Sequence, residues 1–232
     1  MSIFPFRLFS PSLGTGSALA LLGILTTASL SFAESGGSPP QRPLRILAFG
    51  DSLVAGFAVS SKAAFPVRLE KSLRTMGFDV EVINAGLPGD TTTGGLARLE
   101  RVLECVPDMV ILELGTNDNL QGFDPALTEA NLDAMLTRIR GRNIAVLLTG
   151  IAPLRDLGPD YRASFTSIFS RLAVKHAVPL YPDFLEGVAG RPELNKADGI
   201  HPNPKGIDEI VRRVAPLVGE VLEQLSGSLD RG

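Results

Sequence analysis

From Leu44 onward, short apolar runs alternate with segments of helical spacing. Leu44–Phe49 (LRILAF), Val80–Asn84 (VEVIN), Met109–Leu114 (MVILEL), Ile144–Thr149 (IAVLLT) and Val178–Tyr181 (VPLY) are built largely from Val, Ile and Leu. Most of these runs are continuous rather than alternating, as suits parallel strands covered on both faces. Between them, Phe65, Leu69, Leu73 and Met76 fall on one helical face, as do Leu132, Met135, Leu136 and Ile139. Phe165, Ile168, Phe169 and Leu172 make a third stripe. The clearest is the last: Ile207, Ile210, Val211, Val214, Leu217, Val218, Val221, Leu222 and Leu225 keep the i, i+3, i+4, i+7 spacing throughout. Alternating β and α predicts an α/β fold, a three-layer αβα sandwich around a parallel sheet of about five strands, flavodoxin-like, with right-handed crossovers.

The first thirty-odd residues break this pattern. Arg7 is the sole charge before Glu34, Ser17–Leu30 is an apolar run, and Ser31-Phe32-Ala33 sets small residues where a signal peptidase cuts. Residues 1–33 are therefore expected to be a signal peptide cleaved after Ala33. The run is shorter than a membrane span needs, which argues against an anchor. Glu34–Pro43 (ESGGSPPQRP) reads as a flexible linker, 44–225 as one domain and 226–232 as a tail. The expected location is the periplasm or the exterior.

Composition narrows the function. The 232-residue chain is 44% hydrophobic and 20% charged, with a formal net charge of −3. Such a balance gives a packed core and no basic field to hold nucleic acid. A small neutral or apolar substrate fits it better. The single cysteine, Cys105, excludes an internal disulfide and, at the end of a helical pattern, reads as a small core residue.

In parallel α/β sheets, ligands bind beyond the carboxyl ends of the strands. Polar residues follow the predicted strands at four places: Gly50-Asp51-Ser52-Leu53, Asn84–Thr93 (NAGLPGDTTT), Gly115-Thr116-Asn117-Asp118, and Asp198-Gly199-Ile200-His201. Taken singly, each is ordinary material for a cap or turn. Together they carry the parts of acyl transfer. A serine hydroxyl needs a base, and imidazole suits that task near neutral pH. Of the two histidines, His176 continues the Phe169 and Leu172 stripe and reads as structural. His201 is then the base, with Asp198, three residues earlier, to fix its tautomer. The Ser52 N–H, the Gly89 N–H and the Asn117 amide are candidate donors to an oxyanion.

GDSLVAG, NAGLPGDTT, LGTND and DGIHPN occur in this order. These four blocks resemble those of the SGNH hydrolases, the GDSL family of esterases and lipases. The similarity is greatest to the exported multifunctional thioesterase, lysophospholipase and arylesterase branch, and it spans about Leu44 to Leu225. The resemblance implies the SGNH hydrolase fold, Ser52 as nucleophile, His201 as base, Asp198 as orienting acid, and Ser52, Gly89 and Asn117 as the oxyanion hole. It also implies two substrate-facing loops, Leu120–Asp124 and Ile151–Tyr161, whose Leu120, Phe123, Pro153 and Leu157 would line an acyl groove. One departure stands out. Thr116 occupies a position that is usually Gly in that branch, which bears on the shape of the acyl pocket.

The expected activity is hydrolysis of acyl esters or thioesters without cofactor or metal. Two histidines in different contexts and one cysteine do not make a metal set. A carbohydrate O-acetyl esterase of the same mechanism is the alternative. A flavin- or phosphate-binding domain is a competitor from another class, although Asp51 would repel phosphate and the Asp198–His201 pair would go unused. A non-catalytic binding protein is a third.

Overall fold

The computed structural model describes residues 42–229. The predicted signal peptide, residues 34–41 of the predicted linker, and residues 230–232 lie outside the described residues. Five parallel strands form one sheet: β1 (Leu44–Gly50), β2 (Val80–Gly86), β3 (Met109–Glu113), β4 (Ala145–Thr149) and β5 (Leu180–Tyr181). Their order is β2-β1-β3-β4-β5, the flavodoxin-like winding expected from the alternating pattern. β5 keeps only two residues, next to Pro179, which has no N–H to give a ladder.

Right-handed crossovers sort the helices. The step from β1 to β2 runs one way across the sheet and puts α2 (Phe65–Thr75) on one face. The steps from β2 through β5 run the other way, so α3 (Thr92–Val102), α5 (Pro125–Arg140) and α6 (Pro159–His176) cover the opposite face. The last helix, α7 (Pro204–Leu229), returns to pack on α2. Two short helices, α1 (Ser52–Ala55) and α4 (Thr116–Gln121), open directly from β1 and after β3.

The predicted stripes form the core. Phe65, Leu69, Leu73, Leu132, Met135, Leu136, Ile139, Phe165 and Ile168 have no exposed surface. Full burial of one such side chain contributes roughly 1.5–3 kcal/mol. Met76 is a correction: α2 ends at Thr75, so Met76 caps the helix and is 46% exposed. Arg42 and Pro43, at the end of the predicted linker, are described. The Arg42 guanidinium forks onto Asp108 at 2.7 and 2.8 Å, an exposed pair contributing at most about 1 kcal/mol.

Register does most to position the site. Gly50 pairs with Gly86 on one side and Glu113 on the other, Glu113 with Thr149, and Thr149 with Tyr181. These residues end their strands in one row. The loops that follow therefore leave the sheet side by side.

Candidate active site

The turn after β1 is shaped by Gly50 and Asp51. A Cβ on Gly50 would lie 2.6 Å from both the Glu113 carbonyl oxygen and Val54 Cγ2, so only glycine lets β3 and α1 close on it. Asp51 caps α1, its Oδ1 accepting from Leu53 N at 2.9 Å. Ser52 is the first helical residue, and its N–H has no carbonyl one turn back to bond.

The turn that precedes α7 holds the other half. Lys196 N donates to the His201 carbonyl at 2.9 Å and Gly199 N to the Lys196 carbonyl at 3.0 Å, closing a small loop. Asn203 Oδ1 accepts from Lys205 N and Gly206 N and caps α7, so the loop hangs from a fixed helix end. Inside it, Asp198 Oδ1 accepts from the N–H groups of Ile200 and His201, each at 2.9 Å. Asp198 Oδ2 lies 2.8 Å from His201 Nδ1, and His201 Nε2 lies 3.0 Å from Ser52 Oγ. A carboxylate accepts only, so Nδ1 carries the proton and Nε2 is left to accept from the serine hydroxyl. The His201 N–H, then its imidazole and the Ile200 N–H, hold the Asp198 carboxyl down at about 2.

Two residues absent from the sequence reading complete this arrangement. The Phe57 ring rests against the His201 imidazole, with centroids 4.8 Å apart and tilted by 45°. Ala58, in the left-handed region at φ 53°, accepts a hydrogen bond through its carbonyl from the Lys196 ammonium. The chain after the serine is thus strapped to the histidine loop. Nothing periodic marks Phe57 in the sequence; the preceding Gly56, left-handed at φ 78°, is its one local signal.

Of the candidate oxyanion donors, Gly89 stands in a turn at φ 81°, and its N–H meets no acceptor among the described residues. Asn117 sits on α4 above β3. Its Nδ2 donates to Asp51 Oδ2 at 3.1 Å and to the Asp90 carbonyl at 2.8 Å, so both amide hydrogens are engaged. Asp90 does not cap α3; Thr91 does, accepting from Gly94 N at 3.2 Å. Asp90 instead takes Arg98 Nε at 2.7 Å. The same guanidinium reaches the Ala85 and Gly50 carbonyls at 2.8 and 3.0 Å and stacks over Phe49. Asp118, fully buried, accepts from Thr92 N at 2.9 Å and from the hydroxyls of Thr92 and Thr128, tying α4 to α3 and α5.

The departure at Thr116 is buried: the side chain is 3% exposed and lies beside the carboxyls of Asp51 and Glu113. The two predicted substrate loops do meet. Asn119 Nδ2 donates to the Arg155 carbonyl at 3.1 Å, Arg155 N donates to Asn119 Oδ1 at 2.8 Å, and the Arg155 guanidinium reaches the Leu120 carbonyl at 3.0 Å. Leu120, Phe123, Pro153 and Leu157 are all half-buried there. His176 is remote from these loops, pairing with Asp133 at 2.6 Å between α6 and α5. The half-buried Cys105 thiol donates to the Val102 carbonyl at 3.2 Å, and burial pushes its pKa up.

A hydroxyl, an imidazole and a carboxylate in one hydrogen-bonded line, at the carboxyl edge of a flavodoxin-like sheet, define a serine hydrolase. Comparison with known proteins supplies the family. Residues 48–208 match the GDSL-like lipase/acylhydrolase family, and the chain belongs to it. The chain is 37% identical over 178 residues to Esterase TesA of Pseudomonas aeruginosa, covering 76% of this chain and 89% of that one. It is 38% identical over 178 residues to the thioesterase 1/protease 1/lysophospholipase L1 of Escherichia coli K12, covering 75% and 84%. A crystal structure of TesA superimposes with a TM-score of 0.73 at 36% identity, covering 76% of this chain and 99% of that one. The protein is an esterase-type hydrolase with the fold that its sequence blocks implied.

Proposed function

We propose that this protein is exported and hydrolyses esters and thioesters of apolar acyl chains through an acyl-enzyme on Ser52. The reading rests above all on the line Ser52 Oγ–His201 Nε2, 3.0 Å, and His201 Nδ1–Asp198, 2.8 Å. Ser52 Oγ attacks the acyl carbonyl while His201 Nε2 takes its proton, and Asp198 stabilises the imidazolium that results. The carbonyl electrons move onto oxygen, which the N–H groups of Ser52 and Gly89 are free to bind. Asn117 joins them by turning one amide hydrogen from the Asp90 carbonyl to the oxyanion while Asp51 keeps the other. One such amide donor typically contributes about 3 kcal/mol. Collapse expels the alcohol or thiol, protonated by His201. Water, deprotonated by the same imidazole, then releases the acid and frees Ser52.

An acyl chain is favoured by the apolar surface near the serine. Phe57 and Leu87 are 45% and 49% exposed, in the loops that carry Ser52 and Gly89. Leu120, Phe123, Pro153 and Leu157, half-buried on the two joined loops, would line an acyl groove. Export rests on the signal-like residues 1–33 and their small-residue cleavage site.

The test is a hydrolysis panel on the mature protein and its Ser52→Ala variant, from acetyl to palmitoyl esters with acyl-CoA and lysophospholipid. Wild type is expected to prefer longer acyl groups over acetyl, and the variant to lose at least 10³-fold on all of them. Equal activity of the two proteins would overturn the mechanism, and a clear preference for acetyl would overturn the substrate reading.

A further inference from the structure

Beneath the serine lies a polar cluster that the hydrolytic mechanism does not use. Glu113 ends β3 and is 1% exposed. Its Oε2 lies 3.4 Å from Asp51 N, a long contact, and its Oε1 has no hydrogen-bond partner among the described residues. The Thr116 hydroxyl lies beside both the Asp51 and Glu113 carboxyls, yet it too lacks a formed hydrogen bond. Two orphaned, buried polar atoms thus adjoin the same aspartate. An ionised carboxylate in such a place, without a cation or strong donors, is very costly.

The neighbours decide which acid holds the proton. Asp51 accepts from Leu53 N and from the Asn117 amide, faces His201 from the loop before α7, and has Arg98 of α3 bonded to the adjoining Gly50 carbonyl. Asp90, on the loop after β2, is the other charge near it, and Arg98 neutralises that one. Glu113 has the distant Asp51 N–H and the Thr116 hydroxyl alone. Protons settle on the carboxyl with fewer donors.

We propose that Glu113 stands as an uncharged acid beneath Asp51, and that Glu113 and the Thr116 hydroxyl together hold Asp51 in the orientation that fixes the Asn117 amide. Both are positioning residues for the proposed hydrolysis, and the inference rests on that reading. In the proposed arrangement the Thr116 hydroxyl closes to hydrogen-bonding distance of one of the two carboxyls, and the Glu113 proton sits on its unpartnered Oε1. Burial, with the Asp51 charge beside it, does hold the Glu113 carboxyl well above the usual glutamate range.

The test compares Glu113→Gln, Glu113→Leu, Thr116→Val and Thr116→Ser with wild type and Ser52→Ala, measuring kcat and KM on one ester from pH 6 to 9, with thermal unfolding of each. Gln mimics a neutral acid, so Glu113→Gln is expected to keep kcat within about threefold. Glu113→Leu should lose about tenfold or more. Thr116→Val should lower kcat about tenfold at unchanged KM, and Thr116→Ser should recover it. Glu113→Gln as impaired as Glu113→Leu would overturn the uncharged acid, and Thr116→Val with wild-type kcat would overturn the hydroxyl's role. If Glu113→Leu does not fold, a loss above tenfold in Glu113→Gln overturns the first claim by itself. These failures are separable from failure of the mechanism, which Ser52→Ala reports.

Discussion

Replacing Asp198 by Asn separates the charge of this residue from its backbone contacts. Asn keeps an oxygen for the Ile200 and His201 N–H groups, now bonded at 2.9 Å, so the loop should hold. Its amide nitrogen, however, would face His201 Nδ1 across the present 2.8 Å contact. A donor there favours the tautomer with the proton on Nε2, which can no longer accept from Ser52. The lost charge adds to this. Two unit charges about 4 Å apart interact by about 1 kcal/mol in water and about 4 at a protein surface. The Asp198 side chain is 41% exposed, against 19% for His201, so a middle value of about 2–3 kcal/mol applies after screening. With the tautomer effect, kcat should fall by about 10²–10³, short of the ~10⁴ seen when a fully buried partner is changed in the same way. The assay is kcat and KM on one ester, with thermal unfolding of both proteins. A variant retaining more than about a third of wild-type kcat would refute the assignment of Asp198 as the orienting acid.

Further outcomes follow from the same structure. Burial pushes the Asp51 carboxyl up to about 6. A group that binds its proton more tightly when folded favours folding while protonated, and that contribution is lost as pH rises through the folded value. The gap between wild type and Asp51→Asn, read by urea unfolding, should therefore shift in the variant's favour by up to about 3 kcal/mol between pH 4 and pH 7. A pH-independent gap would contradict this. Phe57→Ala removes a ring contact of about 0.5–1.5 kcal/mol from the base. It should cut kcat by about two- to tenfold on short and long esters alike, and raise KM for the long ones only.

The fold was legible because both faces of its sheet are covered. The central strands read as apolar runs, whereas edge strand β2 keeps Glu81 exposed. The four polar stretches could be read together because ligands bind beyond the carboxyl ends of parallel strands, which register here ends in one row. What escaped the sequence depends on contacts between distant segments. Asp90 and Thr91 are equally good caps on paper; the choice falls to Thr91 because Arg98, eight residues on, claims Asp90. Glu113 was carried along inside the apolar run MVILEL, although an acid in a strand buried on both faces is itself a signal. In the sequence, Thr116 stands out only as a departure from the Gly usual in that branch of the family, which says nothing of where its side chain points. The side chain turns inward to Asp51 and Glu113.

Ser52 and His201 are separated by 149 positions, one opening α1 just after the first strand and the other just ahead of the 26-residue α7. Synthesis runs from the amino end, so a nascent polypeptide acquires its hydroxyl long before its imidazole. Until α7 has formed against α2 and fixed the histidine turn, no attacking alkoxide can be generated. A chain lacking α7 would carry the hydroxyl of Ser52 without a fixed imidazole to activate it.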